Sequence, residues 1–140
     1  MFFYKFIHRT DLMLTYRFKE MLKPFDLSPE QQLIMECLWE EDGITQKVIS
    51  EKLMKDKPSV TRMLAHLEKK GLIYRIIPKE NRRISKVFLT EKGKEIEEEV
   101  RKTAVLACEK TNYGLTEQDI NTLKELLTKI QDNLNDENLF

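Results

Sequence analysis

Apolar side chains recur at helical spacing from the start of the chain, at Phe3, Phe6, Ile7, Met13, Leu14, Phe18, Met21 and Leu22. This period predicts a first helix, closed by Pro24 and Asp26. Ser28-Pro29-Glu30-Gln31 then opens a second helix. Ser28 is placed to cap it, Pro29 suits the first helical position, and Gln31 completes a capping box. Leu33, Ile34, Cys37 and Leu38 form its inner stripe, and Asp42-Gly43 stops it. Ile44 to Gln46 reads as a short extended piece, with Thr45 as the cap of a third helix containing Val48, Ile49 and Leu53. After a turn at Met54 to Lys57, a fourth helix starts at Pro58, with Val60, Met63, Leu64 and Leu67 on one face and Gly71 just past its end. Two β-prone runs follow, Leu72–Ile77 and Ile84–Leu89, joined by the polar stretch 78–83, and they predict a hairpin. Thr90 caps a long helix from Glu91 to about Asn112. Gly114 breaks it, and Thr116 opens a last helix with Ile120, Leu123, Leu126, Leu127, Ile130 and Leu134.

The predicted fold is therefore mainly α with a small β-hairpin. A winged helix-turn-helix core at 28–90 is flanked by dimerisation helices at 1–25 and 91–140, all within one domain. The length of 140 residues fits a single core, and only four glycines and four prolines argue against long irregular loops. Cys37 and Cys108 are isolated in apolar surroundings. They suit a reducing cytosol better than a disulfide framework or metal site, so a cytoplasmic protein is expected. The apolar start is broken by Lys5, His8, Arg9 and Asp11, which argues against a signal peptide, and no run is long enough for a membrane helix.

Net charge is zero, with 24 basic and 24 acidic residues, but the charges are unevenly placed. Residues 1–54 sum to −2, residues 55–90 to +7 and residues 91–140 to −5. A basic centre between acidic ends is a footprint for a polyanion. The fourth helix gives that charge a geometry. Opposite its inner stripe lie Pro58, Thr61, Arg62, Ala65 and Lys69, flanked by Ser59 and His66. Small residues allow a close approach to DNA, and donors in the N-terminal half reach base edges. Arg62 is placed to pair with guanine, and Ser59 and Thr61 to reach phosphates or bases. The Pro58 start leaves an exposed helix N-terminus that suits a phosphate. Lys79, Arg82 and Arg83 surround the hairpin tip and Lys86 lies on the returning strand, a basic turn suited to the backbone and the neighbouring minor groove. With Lys57 these residues make up the expected DNA-binding set.

These segments resemble the MarR-type regulators of bacteria and archaea. The resemblance rests on Ser59-Val60-Thr61-Arg62-Met63-Leu64 and on Leu67-Glu68-Lys69-Lys70-Gly71-Leu72-Ile73-Tyr74-Arg75. It continues through Asn81-Arg82-Arg83 and Val87-Phe88-Leu89-Thr90-Glu91-Lys92-Gly93, and spans essentially the whole chain. Family wings usually have an acidic residue where Asn81 stands, and Asn81 supplies only a neutral hydrogen bond in its place. The resemblance implies a dimeric transcription regulator, often a repressor relieved by a small phenolic or lipophilic anion or by cysteine oxidation.

The dimer also follows from the terminal helices. Phe2, Phe3, Phe6 and Ile7 at one end, and Leu123, Leu126, Leu127 and Ile130 at the other, present more apolar surface than one small winged helix covers. Two recognition helices would then meet one face of a pseudo-palindromic operator. Phe18, Met21, Phe25, Met35 and Trp39 are the candidate lining of an effector pocket, with ordinary core as the competing reading. Catalytic, metal-binding and cofactor-binding patterns are missing, so neither an enzyme nor a cofactor is expected. Cys37 reads as a buried hydrophobe whose acidic neighbours Glu36, Glu40 and Glu41 raise its pKa. The alternative function is a winged helix that binds another protein, which would need neither the basic centre nor the small-residue face around Arg62.

Overall fold

The structure, a computed structural model, describes residues 2–81 and 84–140. Its packing divides the chain into two compact units, 1–104 and 105–140.

The first unit begins with α1 (Phe2–Leu22), followed by a 3-10 turn over Lys23–Phe25. Only Leu22 of α1 is buried. The stripe that predicts the helix is thus largely uncovered, with Phe2 at 88% and Phe6 at 74% exposure. α2 (Pro29–Glu40) opens on the expected capping box. The Gln31 amide donates to Ser28 Oγ at 3.1 Å, and the Ser28 amide donates to Gln31 Oε1 at 3.2 Å. β1 (Ile44–Thr45) leads into α3 (Gln46–Leu53), where Thr45 Oγ1 accepts from the Val48 amide. α4 (Lys57–Lys69) follows. Gly71, at φ 74°, takes the left-handed turn that lets the chain double back into the sheet.

β2 (Ile73–Ile76) and β3 (Lys86–Leu89) form the hairpin, and β1 pairs with β3 to give an antiparallel sheet of order β1-β3-β2. Ile44 and Arg75 both stand opposite Val87. The strands are shorter than the β-prone runs, because Ile77 and Ile84 are half exposed and lie beyond the paired register. Ile34, Met35, Leu38, Ile49, Val60, Leu64, Leu67 and Val87 form the heart of the core. Burying each such side chain stabilises the fold by about 1.5–3 kcal/mol before entropy is counted.

The long helix expected over 91–112 is two helices, α5 (Glu91–Glu95) and α6 (Glu97–Thr111). Ile96 separates them, its ψ flattening to −9° as in a 3-10 turn. On either side of this break Gly93 sits against the backbone of Leu72 and Ile96 packs on the core.

The second unit contains the end of α6 and α7 (Glu117–Asn135). Thr116 and Asp119 form a capping box at the start of α7. Leu123 and Leu126 on α7 are each just over half exposed.

Candidate nucleic-acid interface

α4 stands on the core through Val60, Leu64 and Leu67, each wholly buried, with Met63 partly buried beside them. Its other face is open. Lys57, Pro58, Thr61, Arg62, Ala65, His66 and Lys69 are exposed and Ser59 is half-buried. The sequence-predicted set on this helix is therefore brought onto one accessible surface. An Arg62 guanidinium nitrogen lies 3.4 Å from Ser59 Oγ, a weak contact that leaves the group available.

The start of α4 differs from expectation. Asp56, two residues ahead of Pro58, is the N-cap, and its carboxylate accepts from the Ser59 amide at 3.0 Å. The N-terminus is thus occupied by an anion of the chain itself, not free for a phosphate. Pro58, at the second helical position, brings no amide, so Ser59 is the first donor that a cap can reach. The Ser59 hydroxyl and amide hold the Asp56 carboxyl below its ordinary pKa. The contribution of this cap to α4 is complete above the normal aspartate range and is lost as pH falls through the depressed value. Asp56→Asn keeps an oxygen acceptor while removing a charge that repels DNA. Duplex affinity is expected to rise severalfold with little change in melting temperature, as read by fluorescence anisotropy and thermal unfolding; unchanged or weaker binding would remove Asp56 from the interface.

Internal pairing sorts the basic residues. Lys55 pairs with Glu30 at 2.9 Å and Arg75 with Glu68 at 2.9 Å. Lys70 donates to the Asp26 carbonyl, and to Gln31 Oε1 at 2.8 Å. Lys57, Arg62, Lys69, Lys79 and Lys86 are exposed and form no ion pair with a described carboxylate. Lys79 lies in the hairpin connection and Lys86 opens β3. Arg82 and Arg83 lie outside the described residues. Asn81 is exposed, and its carbonyl accepts from the Ile84 amide at 3.1 Å.

Side chains absent from the predicted set position this surface. Asp42 Oδ1 accepts from the Leu89 amide at 2.8 Å, tying β3 to the turn before β1. Gln46 donates to Thr61 Oγ1 at 2.6 Å, joining α3 to the exposed face of α4. Periodicity does not mark such residues, since each acts through a partner distant in sequence. Asp56 is more legible: Asp-Lys-Pro before an amphipathic run is a cap signature.

The five aromatic and sulfur-bearing candidates lie at different depths. Met35 is wholly buried in the core, and Phe25 and Trp39 pack against that core. The Trp39 indole donates to the Gly93 carbonyl at 2.9 Å and lies under the Arg101 guanidinium. Phe18 and Met21 are half-buried on α1. A separate recess of about 290 Å³ is walled by Lys19, Lys23, Asp26, Ser28, Gln31 and Lys70. Cys37 is buried and its thiol pKa is raised, chiefly by burial; Lys52 opposes the shift, while Glu40 and Glu36 add to it. Glu41 is not among the causes. Cys108 is exposed. Among the described residues no helix is long and apolar enough to cross a membrane, and no acidic, histidine or cysteine cluster is arranged to hold a metal.

Comparison with known proteins places this architecture. Residues 27–85 match the MarR family. The uncharacterized HTH-type transcriptional regulator YybA of Bacillus subtilis (strain 168) is 30% identical over 112 residues, covering 80% of this chain and 75% of that protein. The organic hydroperoxide resistance transcriptional regulator of the same organism is 31% identical over 113 residues, covering 81% and 74%. Among solved structures, a MarR family regulator from Listeria monocytogenes complexed with 26mer DNA superposes with a TM-score of 0.82 at 26% identity, covering 93% of this chain and 87% of that one. Helix-turn-helix, wing and flanking helices agree with these relatives, and the chain belongs to the MarR family of DNA-binding transcriptional regulators.

Proposed function

We propose that α4 is the recognition helix of a homodimer that represses transcription from a pseudo-palindromic operator until a small anion releases it. The outward face of α4 is the observation that supports this most directly: exposed Thr61 and Arg62 stand on a helix whose other side is fixed in the core. Arg62 reads a base edge, while Lys57, Ser59, Thr61 and His66 serve as further contacts around it. Lys79 and Lys86 meet phosphates, and Arg82 and Arg83 enter the adjoining minor groove. The dimer forms through the flanking segments 1–25 and 91–140, whose apolar faces a second copy covers, and 28–90 is the DNA-binding core. The chain works in the cytoplasm and catalyses no reaction.

The effector reading now has a polar component. The recess carries Lys19, Lys23 and Lys70, and the carboxylate of an amphiphilic acid would enter there by displacing Glu20 from Lys23 and Asp26 and Gln31 from Lys70. Met35 and Trp39 would act from behind as core. Such a ligand shifts operator affinity only if it prefers the DNA-incompetent arrangement, and DNA must weaken the ligand by the same factor.

Selection of bound sequences from a random duplex pool tests the DNA reading. A two-fold related motif is expected, with half-sites about one helical turn apart. On that motif Arg62→Ala costs about 1–3 kcal/mol and relaxes the preference at one position per half-site. Failure to enrich any sequence would favour the protein-binding alternative, and a uniform loss across sequences would remove Arg62 from base reading.

A further inference from the structure

We propose that Gln46 and Thr61 act as one unit that reads an A·T base pair, Gln46 through its amide on adenine and Thr61 through its methyl group against thymine. The inference rests on α4 being the helix that enters the groove, and adds a reader from α3.

Thr61 Oγ1 donates to the Lys57 carbonyl at 2.8 Å, which engages the single proton of the hydroxyl. Gln46 Nε2 lies 2.6 Å from the same oxygen. With its proton engaged, Thr61 Oγ1 accepts there, so the nitrogen side of the Gln46 amide faces Thr61 and Oε1 faces away. Thr61 therefore has no proton to offer a phosphate or a base acceptor. Its remaining contact group on this exposed face is the methyl.

Gln46 is held as firmly. Its backbone amide donates to the Ser85 carbonyl at 2.9 Å, at the base of the hairpin, and its own carbonyl accepts from the Ser50 hydroxyl at 3.1 Å. The side chain keeps one amide proton and Oε1 beyond the bond to Thr61. A donor beside an acceptor matches adenine N7 and N6 in the major groove, and the thymine of that pair displays its 5-methyl group on the same edge. Direct contact between Gln46 and Thr61 brings both complements within reach of one base pair.

Base analogues in the selected operator provide the test, with anisotropy as the readout. Each thymine is replaced singly by deoxyuridine, which removes only the methyl, and each adenine by 7-deazaadenine, which removes the N7 acceptor. At one position per half-site, deoxyuridine is expected to weaken wild-type binding about fourfold, the effect of one methyl group. The partner adenine analogue should weaken it about tenfold. Thr61→Val keeps the preference for thymine over deoxyuridine, Thr61→Ser loses it, and Gln46→Ala loses sensitivity to the adenine analogue. Tolerance of deoxyuridine at every position, or a thymine preference that survives in Thr61→Ser and vanishes in Thr61→Val, overturns the proposal. If instead Arg62→Ala also leaves binding unchanged on all sequences, the groove assignment of α4 itself has failed.

Discussion

Raising salt from about 50 to about 200 mM should weaken duplex binding by about 10³-fold or more. The whole-chain charge of zero suggests no such thing, and the basic centre of +7 overstates it. What matters is which cations remain available. Lys55 and Arg75 are engaged by carboxylates, and Lys70 is turned to Asp26 and Gln31. Among the described residues Lys57, Arg62, Lys69, Lys79 and Lys86 remain. With Arg62 assigned to a base edge and Arg82 and Arg83 to the minor groove, the four lysines of each copy give a dimer eight cations, enough for six phosphate contacts. Each neutralised phosphate contributes roughly −0.9 to the slope of log affinity against log salt. Titration of a labelled operator at several salt concentrations gives the slope directly. A slope near zero would mean that these cations do not face the backbone. Lys55→Ala and Lys79→Ala separate the paired from the available class: only the second should reduce the slope.

Gly93→Ala should be among the most damaging single-methyl changes in the chain. A Cβ at Gly93 would lie 2.2 Å from the Leu72 carbonyl oxygen and 3.3 Å from a Leu89 methyl. The first obstacle is backbone in the chain's return from α4 to the sheet and cannot swing aside. The loss is expected to reach about 3 kcal/mol or more, the upper end for overpacking. At fixed protein concentration that is a fall of roughly 10 °C in melting temperature for a chain of this size. Gly71→Ala is the control. Gly71 has φ 74° but nothing within 4 Å of its Cβ position, so only the left-handed backbone penalty of about 1 kcal/mol applies. Equal losses at the two glycines would show that the contact at Leu72 relaxes easily.

The elements legible in the sequence are those set by local chemistry. Ser28, Thr45, Thr90 and Thr116 cap helices as their positions predict, because a cap is decided within four residues. The inner face of α4 follows its 3.6-residue period for the same reason. The break at Ile96 does not show in the apolar spacing of the run from Glu91 to Asn112. Asp56 was available as a signal, but the proline two residues later draws the helix start to itself. Within the candidate site, exposure follows from the wheel of α4. The Gln46–Thr61 bond needs α3 and α4 docked, and the recess at Lys70 needs the turn after α1, so neither is readable beforehand.

The bonds joining α5 to the end of α4 have a consequence for how such a regulator diversifies. Thr90 Oγ1 donates to the Gly71 carbonyl at 2.6 Å, the Thr90 amide to the Leu72 carbonyl at 3.1 Å, and Lys92 Nζ to the Lys70 carbonyl at 2.9 Å. Trp39 returns from α2 to the Gly93 carbonyl. Every acceptor here is main chain, indifferent to the side chains on the exposed face of α4. New operator preferences can therefore arise by substitution at Pro58–His66 without retuning the linkage that fixes the helix's heading. Grafting the outward residues of that segment together with Gln46 of α3 should transfer major-groove recognition between related scaffolds as a cassette.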